Sequence, residues 1–551
     1  MKRLLIKYLY LTLFIYSFLL TSCDGFFDTK PYDELTPATF WQTESDVLSA
    51  VTGCYYNWTN SINVFYEDCC SDIAYSQNNT ASLNLTARGA LNPSSTRDHF
   101  DYTTIIRCNN FLAYVGDVPF NNEAEKRDLI AQVRTIRAWH YYHMNFWYGG
   151  VPLITTVPQT AEEAQVPRDT EETVKLFVYD ELDAAIADLN TRPSERGRIA
   201  KGTALAIKMR AALYWGDLDL AMSAARVIQN LGLYALHPDF LELFSIKGQT
   251  SSEIIYAMQH IANTHPYTHV MRMYNNEDGG WTTFSPTQNY IDMFEMKDGL
   301  MPEESIDYNP VHPYANRDPR LALSVIYSGM EWVGSNGVQR IVNTLDRTIN
   351  GVPNLDWLDV SNNSSKFGVI FAKYAVPRSQ YSASMTNDNL CPILYRYAEV
   401  LLTIAEINVE NNENFTEVFN ILDQLRARGG HIPVDRAKYD TQDKLRELVR
   451  RERCLELAGE GLRRADILRW KDKNGKMVAE TVLNGPLLRM IGTVDVNEPD
   501  RDKRAIFELP TEENLALRLL QNRVFETHFR YYPIPQSQMD KNPELVQNEG
   551  Y

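Results

Sequence analysis

The chain has 551 residues, 44% apolar and 23% charged, which is ordinary for a globular fold and enough for several folding units around a large core. Its formal net charge of −17 repels phosphate backbones, so nucleic acid is not an expected partner. Polyanionic glycans are disfavoured on the same ground unless a local basic patch exists.

In chain order, the first expected element is a processing signal. Lys2, Arg3 and Lys7 form a basic start, Leu9 to Leu20 is an apolar run, and Leu20-Thr-Ser-Cys23 closes it. The run is too short to span a bilayer and has the length of a secretory h-region. The ending reads as a lipoprotein box, with residues 1–22 as signal peptide and Cys23 as the acylated N-terminus of the mature protein. Several acyl chains anchor stably, since each buried methylene adds about 0.8 kcal/mol and one chain alone is marginal. Cleavage removes three positive charges and no acid, taking the net charge to −20. No later run reaches 18 apolar residues, so no second membrane segment is expected.

Residues 60–100 are rich in Asn, Ser and Thr and read as loop. Val133 to Trp147 and Thr173 to Leu189 read as helices. Leu205, Met209, Ala212 and Leu213 then share one helical face. After a Gly216-Asp217 turn, Leu220, Ala224, Val227, Ile228 and Leu231 repeat the spacing, which predicts an antiparallel helix pair of tetratricopeptide type. Residues 262–390, rich in Gly, Asn, Pro and aromatics, read as loops and short strands, where binding usually sits on a helical scaffold. A second pair follows: Leu394, Tyr397, Leu401 and Ala405, then Val418, Ile421, Leu422 and Leu425, stopped at Gly429-Gly430. The charged run from Arg446 to Glu456, with Glu447 and Arg451 four apart, suits a solvated helix face. The six cysteines beyond Cys23 (Cys54, Cys69, Cys70, Cys108, Cys391 and Cys454) show no zinc spacing and read mostly as small buried apolar residues.

These segments also carry specific words. Arg134-Thr-Ile-Arg-Ala138 runs to Tyr148-Gly-Gly-Val-Pro-Leu153. Arg198-Ile-Ala-Lys-Gly-Thr-Ala204 precedes Leu213-Tyr-Trp-Gly-Asp217. Then come Tyr314-Ala-Asn-Arg-Asp-Pro-Arg320, Arg396-Tyr-Ala-Glu-Val-Leu-Leu402 with Ala405-Glu406, the charged stretch from Glu452 to Trp470, Tyr532-Pro-Ile-Pro535 and the terminal Gln547-Asn-Glu-Gly-Tyr551. In this order the words resemble the SusD/RagB family of surface lipoproteins from Bacteroidetes across the whole mature chain. The departures, Cys454 for the usual arginine, Gly459 for a bulky apolar residue and Glu549 for proline, lie in scaffold words. The resemblance implies a mainly α fold, with four tetratricopeptide-like helix pairs as scaffold, a loop-rich ligand face and a few short strands. It implies one unit over 23–551, divided into an N-terminal part to about residue 235 and a C-terminal part from about 236. It further implies oligosaccharide capture at the outer-membrane surface, as the lid of a TonB-dependent transporter of SusC type. Peptide capture by a similar importer component, and a surface glycosidase, stay open as alternatives.

A sugar ring needs an aromatic platform for its C–H face and planar polar groups for its hydroxyls. Trp41, Trp139, Trp147, Trp215 and Trp470 lie in or beside helical words and read as core. Trp281, after Asn275-Asn-Glu-Asp-Gly-Gly280, and Trp332, before Gly334-Ser-Asn-Gly337, lie in polar loops and lead as platform candidates, ahead of Trp58 and Trp357. Tyr66, Tyr75, Tyr267 and Tyr274 follow, with Asp72, Asn78, Asn79 and Arg88 for hydroxyl contacts. His140 with His143, and His260, His265 and His269, read as packed or polar-satisfied side chains rather than metal ligands. There is no HExxH, GxSxG, P-loop or GxGxxG, so no cofactor and no enzymatic activity are expected, although an acidic chain always offers carboxylate pairs that could serve a glycosidase. Palmitate labelling of growing cells is expected to mark the wild-type protein and not Cys23→Ser; equal labelling of both would remove the lipoprotein reading.

Overall fold

The computed structural model describes residues 40–551 except 57, 59–60, 79, 334–336, 362 and 376–383. Cys23 and Asn79 lie outside the described residues. Nine helices of twelve or more residues are labelled here: α1 (Glu44–Tyr55), α2 (Thr103–Tyr114), α3 (Glu123–Tyr148), α4 (Glu171–Asp188), α5 (Lys201–Trp215), α6 (Leu218–Asn230), α7 (Tyr397–Glu410), α8 (Phe415–Arg428) and α9 (Gln442–Leu457). Polar residues cap several of them: Asn122 accepts from Ala124 N and Glu125 N, Thr170 from Thr173 N, and Thr43 forms a reciprocal capping box with Asp46. Glycine ends α3 and α5, where Gly149 and Gly216 take φ of 72° and 84°, conformations that a Cβ disfavours. Helix α3 begins ten residues before the apolar periodicity at Val133: its first three residues are exposed, and the turns that follow bury Lys126, Asp128 and Gln132 among apolar residues.

The helices pack in consecutive antiparallel pairs, α3 on α4, α5 on α6 and α7 on α8, with α1 and α2 against each other and against α3. Helix α6 meets α7 across the junction of two pairs, and α9 lies along α7. This is the tetratricopeptide-like, mainly α architecture expected from the sequence. Arginine–glutamate clamps fasten it. Arg137 binds Glu181 between α3 and α4 at 2.6 and 2.9 Å, Arg210 binds Glu399 between α5 and α7 at 2.6 and 2.8 Å, and Arg226 binds Glu417 between α6 and α8 at 2.6 Å twice. Two-pronged pairs of this kind fix orientation as well as distance.

The strands are short and pair two by two. They include β1 (Ala74–Ser76), β2 (Ile254–Ala257), β3 (Phe284–Pro286), β4 (Val325–Tyr327), β5 (Glu331–Val333), β6 (Gln339–Ile341), β7 (Val369–Phe371) and β8 (Ile393–Arg396). The antiparallel partners are β1 with β3, β2 with β8, β4 with β7, and β5 with β6. The six cysteines are buried and free. No helix among the described residues is long and apolar enough to cross a membrane.

The charged run 446–456 corrects the sequence reading. Glu447 faces solvent, but Glu452, Arg453 and Glu456 are buried, and Arg451 pairs with Glu295 rather than with Glu447. Glu456 belongs to a buried ion-pair centre. All five N–H donors of Arg396, a residue only 1% exposed, are used: on both carboxylate oxygens of Glu460 (2.7 Å each), on Glu253 (2.8 Å), on Glu456 (2.5 Å) and on the Glu456 carbonyl (2.7 Å). Arg428 joins Glu253 to Glu456, and Lys373 donates to Glu460 at 2.6 Å. Three cations thus face three carboxylates. The departure at Gly459 also finds its reason nearby: with φ of 79° and its N–H donating to Asp68 Oδ2 at 2.7 Å, this position suits glycine better than a bulky residue.

Burial alone pushes the Glu456 carboxyl up, but Arg428, Arg396 and Lys373 outweigh it and hold it at about 2; Arg320 and Arg426 do the same for Glu452, also at about 2. Both values lie below the unfolded glutamate value of about 4.3. Their contribution to stability is therefore complete above about pH 4.3 and is lost as pH falls toward 2. Removing one partner of a buried ion pair costs about 3–5 kcal/mol. Arg396→Met and Glu456→Gln are each expected to destabilise the fold by about that amount in urea unfolding. The wild type is expected to lose stability steeply between about pH 4 and pH 2.

Candidate functional site

The loop segment from Tyr267 to Thr283 folds into a tight turn. Trp281 N donates to Met271 O at 2.7 Å, Thr282 N to Tyr274 O at 2.8 Å, and Thr283 N to Arg272 O at 3.0 Å. The turn requires Gly280, since a Cβ there would stand 2.3 Å from the Tyr274 carbonyl oxygen. Its product is Trp281, 39% exposed, with the Arg272 guanidinium 5.4 Å from its ring centroid. A side chain so exposed has little core to support, yet its backbone is pinned on both sides.

The β5–β6 hairpin packs against this turn. Trp332 lies directly across from Arg340 in the register. Both reach Asp278, which is buried: Trp332 Nε1 donates to Asp278 Oδ2 at 3.1 Å and Arg340 Nη2 to the same oxygen at 2.9 Å. Arg340 also donates to Asn275 Oδ1 at 3.0 Å and lies 3.5 Å from Asp356. Burial pushes the Asp356 carboxyl up to about 7, against the pull of Arg340. The segment around Asp356 closes the cluster, with Asn276 Nδ2 donating to Leu355 O at 2.7 Å and Glu277 N to Asp356 Oδ1 at 3.1 Å. Trp357 follows directly, half-buried beneath the Arg347 guanidinium at 5.5 Å. Three of the four loop tryptophans thus belong to one hydrogen-bonded loop cluster, on separate segments.

Several sequence candidates have other positions. Trp58 does join the core: it is 3% exposed and meets Trp139 and Tyr256 edge-on at 5.3 and 5.4 Å. Tyr75 is buried on β1 against Phe367, and Tyr274 is buried with its ring 6.1 Å from Trp332, so neither offers an open face. Tyr66 and Tyr267 are buried as well. Asp72 is buried, and both its oxygens accept from Arg463 at 2.8 Å, which ties it to the scaffold and leaves it unavailable to a hydroxyl. Asn78 is exposed and closes a local turn by accepting from Thr80 N at 3.1 Å. Arg88 is half-buried and stands apart, where its carbonyl accepts from Val524 N. Burial pushes His260 and His269 down to about 4, and among the described residues no three His, Cys, Asp or Glu groups converge on a metal position.

Sequence reasoning missed the residues that orient the tryptophans: Arg272, Asp278 and Arg340. Asp278 stood inside the polar loop that flagged Trp281. Arg340 was legible only through hairpin pairing across Gly334-Ser-Asn-Gly337, which sets it opposite Trp332.

A model of the SusD family matches residues 243–551. Among curated proteins, the chain is 25% identical over 493 residues to the SusD-like protein P25 of Formosa agariphila, covering 83% of this chain and 89% of that one. It is 29% identical over 283 residues to a SusD-like protein of Bacteroides ovatus, covering 47% and 50% respectively. Among solved structures, a SusD-like carbohydrate-binding protein from Bacteroides fragilis aligns over 92% of this chain and 100% of its own, with TM-score 0.78 and 27% identity. A laminarin-binding SusD-like protein shares the fold at TM-score 0.65 and 18% identity, over 93% of this chain and 100% of its own.

Trp281→Ala is expected to leave thermal stability nearly unchanged, because an exposed side chain supports no core. Trp332→Ala is expected to destabilise by about 1–3 kcal/mol, since it strips Asp278 of a donor and opens a gap beside Tyr274. Parallel melts of the two variants check this; an equal loss in both would mean that Trp281 is packed as well.

Proposed function

This chain belongs to the SusD family, and from that premise we propose that it is a glycan-binding surface lipoprotein, capturing oligosaccharides and delivering them to a TonB-dependent, SusC-like transporter in the outer membrane. The observation that carries the reading is Trp281: an exposed indole on a rigid glycine turn, with Trp332 and Trp357 in the same loop cluster. An indole held in that way stacks on the C–H face of a sugar at little entropic cost. Asn276 and the exposed Asn78 are amides of the kind that bind hydroxyls. Carbohydrate binding in the similar protein from Bacteroides fragilis supports the same ligand class here.

Attachment through Cys23, exposure on the outer leaflet, the division near residue 235 and the transporter partnership complete the proposal. Binding without turnover is part of the same proposal, and the reducing-end assay below tests it against the glycosidase alternative.

Calorimetric titration of laminarin, pectic and sulfated galactan oligosaccharides is the direct test. Trp281→Ala is expected to cost about 1–3 kcal/mol, roughly tenfold to a hundredfold in affinity. No new reducing ends are expected on prolonged incubation, and the transporter is expected to co-purify from detergent-solubilised outer membrane. Tight binding of oligopeptides with none of glycans would transfer the assignment to peptide capture.

A further inference from the structure

A second groove, separate from the tryptophan cluster, opens between the end of α1, the turn at 196–198 and the chain that follows β2, with a volume of about 280 Å³. One wall is aromatic. Tyr56 is 60% exposed, yet the Arg107 guanidinium lies 5.5 Å from its ring and donates to its carbonyl at 3.2 Å. Tyr55 is fixed from two sides, donating to Gln132 Oε1 at 2.7 Å and accepting from Ile199 N at 2.8 Å. Trp58 and Tyr256, both nearly buried, also line the groove, and the Tyr256 hydroxyl donates to the Gly197 carbonyl at 3.2 Å. The exposed ring of Tyr56, fixed in this way, suits the C–H face of a sugar.

The opposite wall sets the charge. Arg196 and Arg198 line the groove and, among the described residues, no carboxylate does. Arg196 donates to the carbonyl and side-chain oxygens of Gln249 at 3.0 and 3.1 Å, both neutral partners. Arg198 lies 5.2 Å from the Tyr55 ring, and its carboxylate neighbour, Glu195, is 3.9 Å away with a side chain 77% exposed. Two guanidinium groups with no described acid lining the groove stand out on a chain whose net charge is −17. This is the local basic patch that makes an anionic sugar admissible. A planar guanidinium matches a carboxylate or a sulfate ester with two parallel N–H bonds, which an ammonium cannot do.

We propose that this groove is a second sugar subsite, and that it takes a ring bearing an anionic substituent, a uronate carboxylate or a sulfate ester. The proposal rests on the glycan-binding reading above, but it uses none of the residues of the tryptophan cluster. A row of contacts joins the two places: His265 stacks on His260, which meets Tyr267, then His269, then Arg272 over Trp281.

Calorimetric titration of the full-length protein with a neutral laminari-oligosaccharide, an oligogalacturonate and a sulfated carrageenan oligosaccharide separates the cases. At least one anionic probe is expected to bind, with affinity falling as salt rises. Arg196→Gln/Arg198→Gln is expected to lose about tenfold or more of that affinity while its melting temperature and its neutral-probe binding stay put. Tyr56→Ala, which removes only an exposed ring, is expected to weaken the same probe. Response to the oligogalacturonate alone identifies a carboxylate ligand, and response to the carrageenan alone a sulfate. No binding of either anionic probe, or anionic binding unchanged in both variants, overturns the subsite. Neutral-probe binding that depends on Trp281 would in that event leave the wider glycan reading intact.

Discussion

The fold depends on one guanidinium. Arg396 ends β8, begins α7, and spends every donor inside the protein on Glu253, Glu456 and Glu460. Glu253 leads into β2, Glu456 lies in the last turn of α9 and Glu460 just beyond its end, so a single side chain ties the helix array to the loop-rich half. The arrangement is stable only because it is complete. Three carboxylates buried without cations would cost far more than the fold has to give, and Arg428 and Lys373 supply the balance. A second centre repeats the solution next to it, where Arg320 and Arg426 share Glu452, and Glu295 accepts from Arg426 and His431. Buried ion pairs add little net stability over apolar packing, but they tolerate almost no alternative arrangement. That specificity is what a scaffold of long loops needs.

The rigidity set by these centres reaches the ligand face. The loops of residues 262–390 have few periodic segments, and short two-stranded ladders alone hold marginally. They are held instead by polar side chains whose partners are backbone groups or other loops: Arg340 through Asp278 and Asn275, Asn276 through Leu355, and Asn354 through the carbonyls of Asn343 and Asp346. The loops thereby present aromatic rings in fixed positions. Preorganised rings lose little freedom when a ligand arrives, which matters for sugars, whose hydroxyls exchange water for protein at small net gain.

The sequence words that carry the family resemblance have a common physical meaning in the structure. Arg134 and Arg137 clamp Glu181, Arg396 and Glu399 anchor the third helix pair, and Arg320 bridges Asp318 and Glu452. The terminal word does similar work, with Asn548 donating to the carbonyls of Tyr148 and Tyr532. Nearly every word is a set of buried polar groups that must be satisfied together, so the types and spacing admit little change. None of them touches the tryptophan cluster, and of the words only the one that begins at Arg198 reaches the second groove, so the words identify a family and its scaffold rather than a ligand.

What the sequence by itself determined was the helix array: apolar residues at helical spacing, capping residues before them and glycines after them depend on neighbours within a few positions. It also separated loop tryptophans from helical ones, and Trp281 sits where that reading placed it. Only the tertiary structure decided which loop aromatics face solvent. Trp58, Tyr75 and Tyr274 also lie in loop-rich sequence, as candidates behind Trp281, but their burial is set by partners far along the chain: Trp139, Phe367 and Trp332. The charged run 446–456 was misread for the same reason, since the cations and carboxylates that bury it come from residues 253, 295, 320, 396, 426 and 428. Local periodicity reports a helix face, but burial of a charge depends on its counter-charge, and no local pattern records where that counter-charge will arrive.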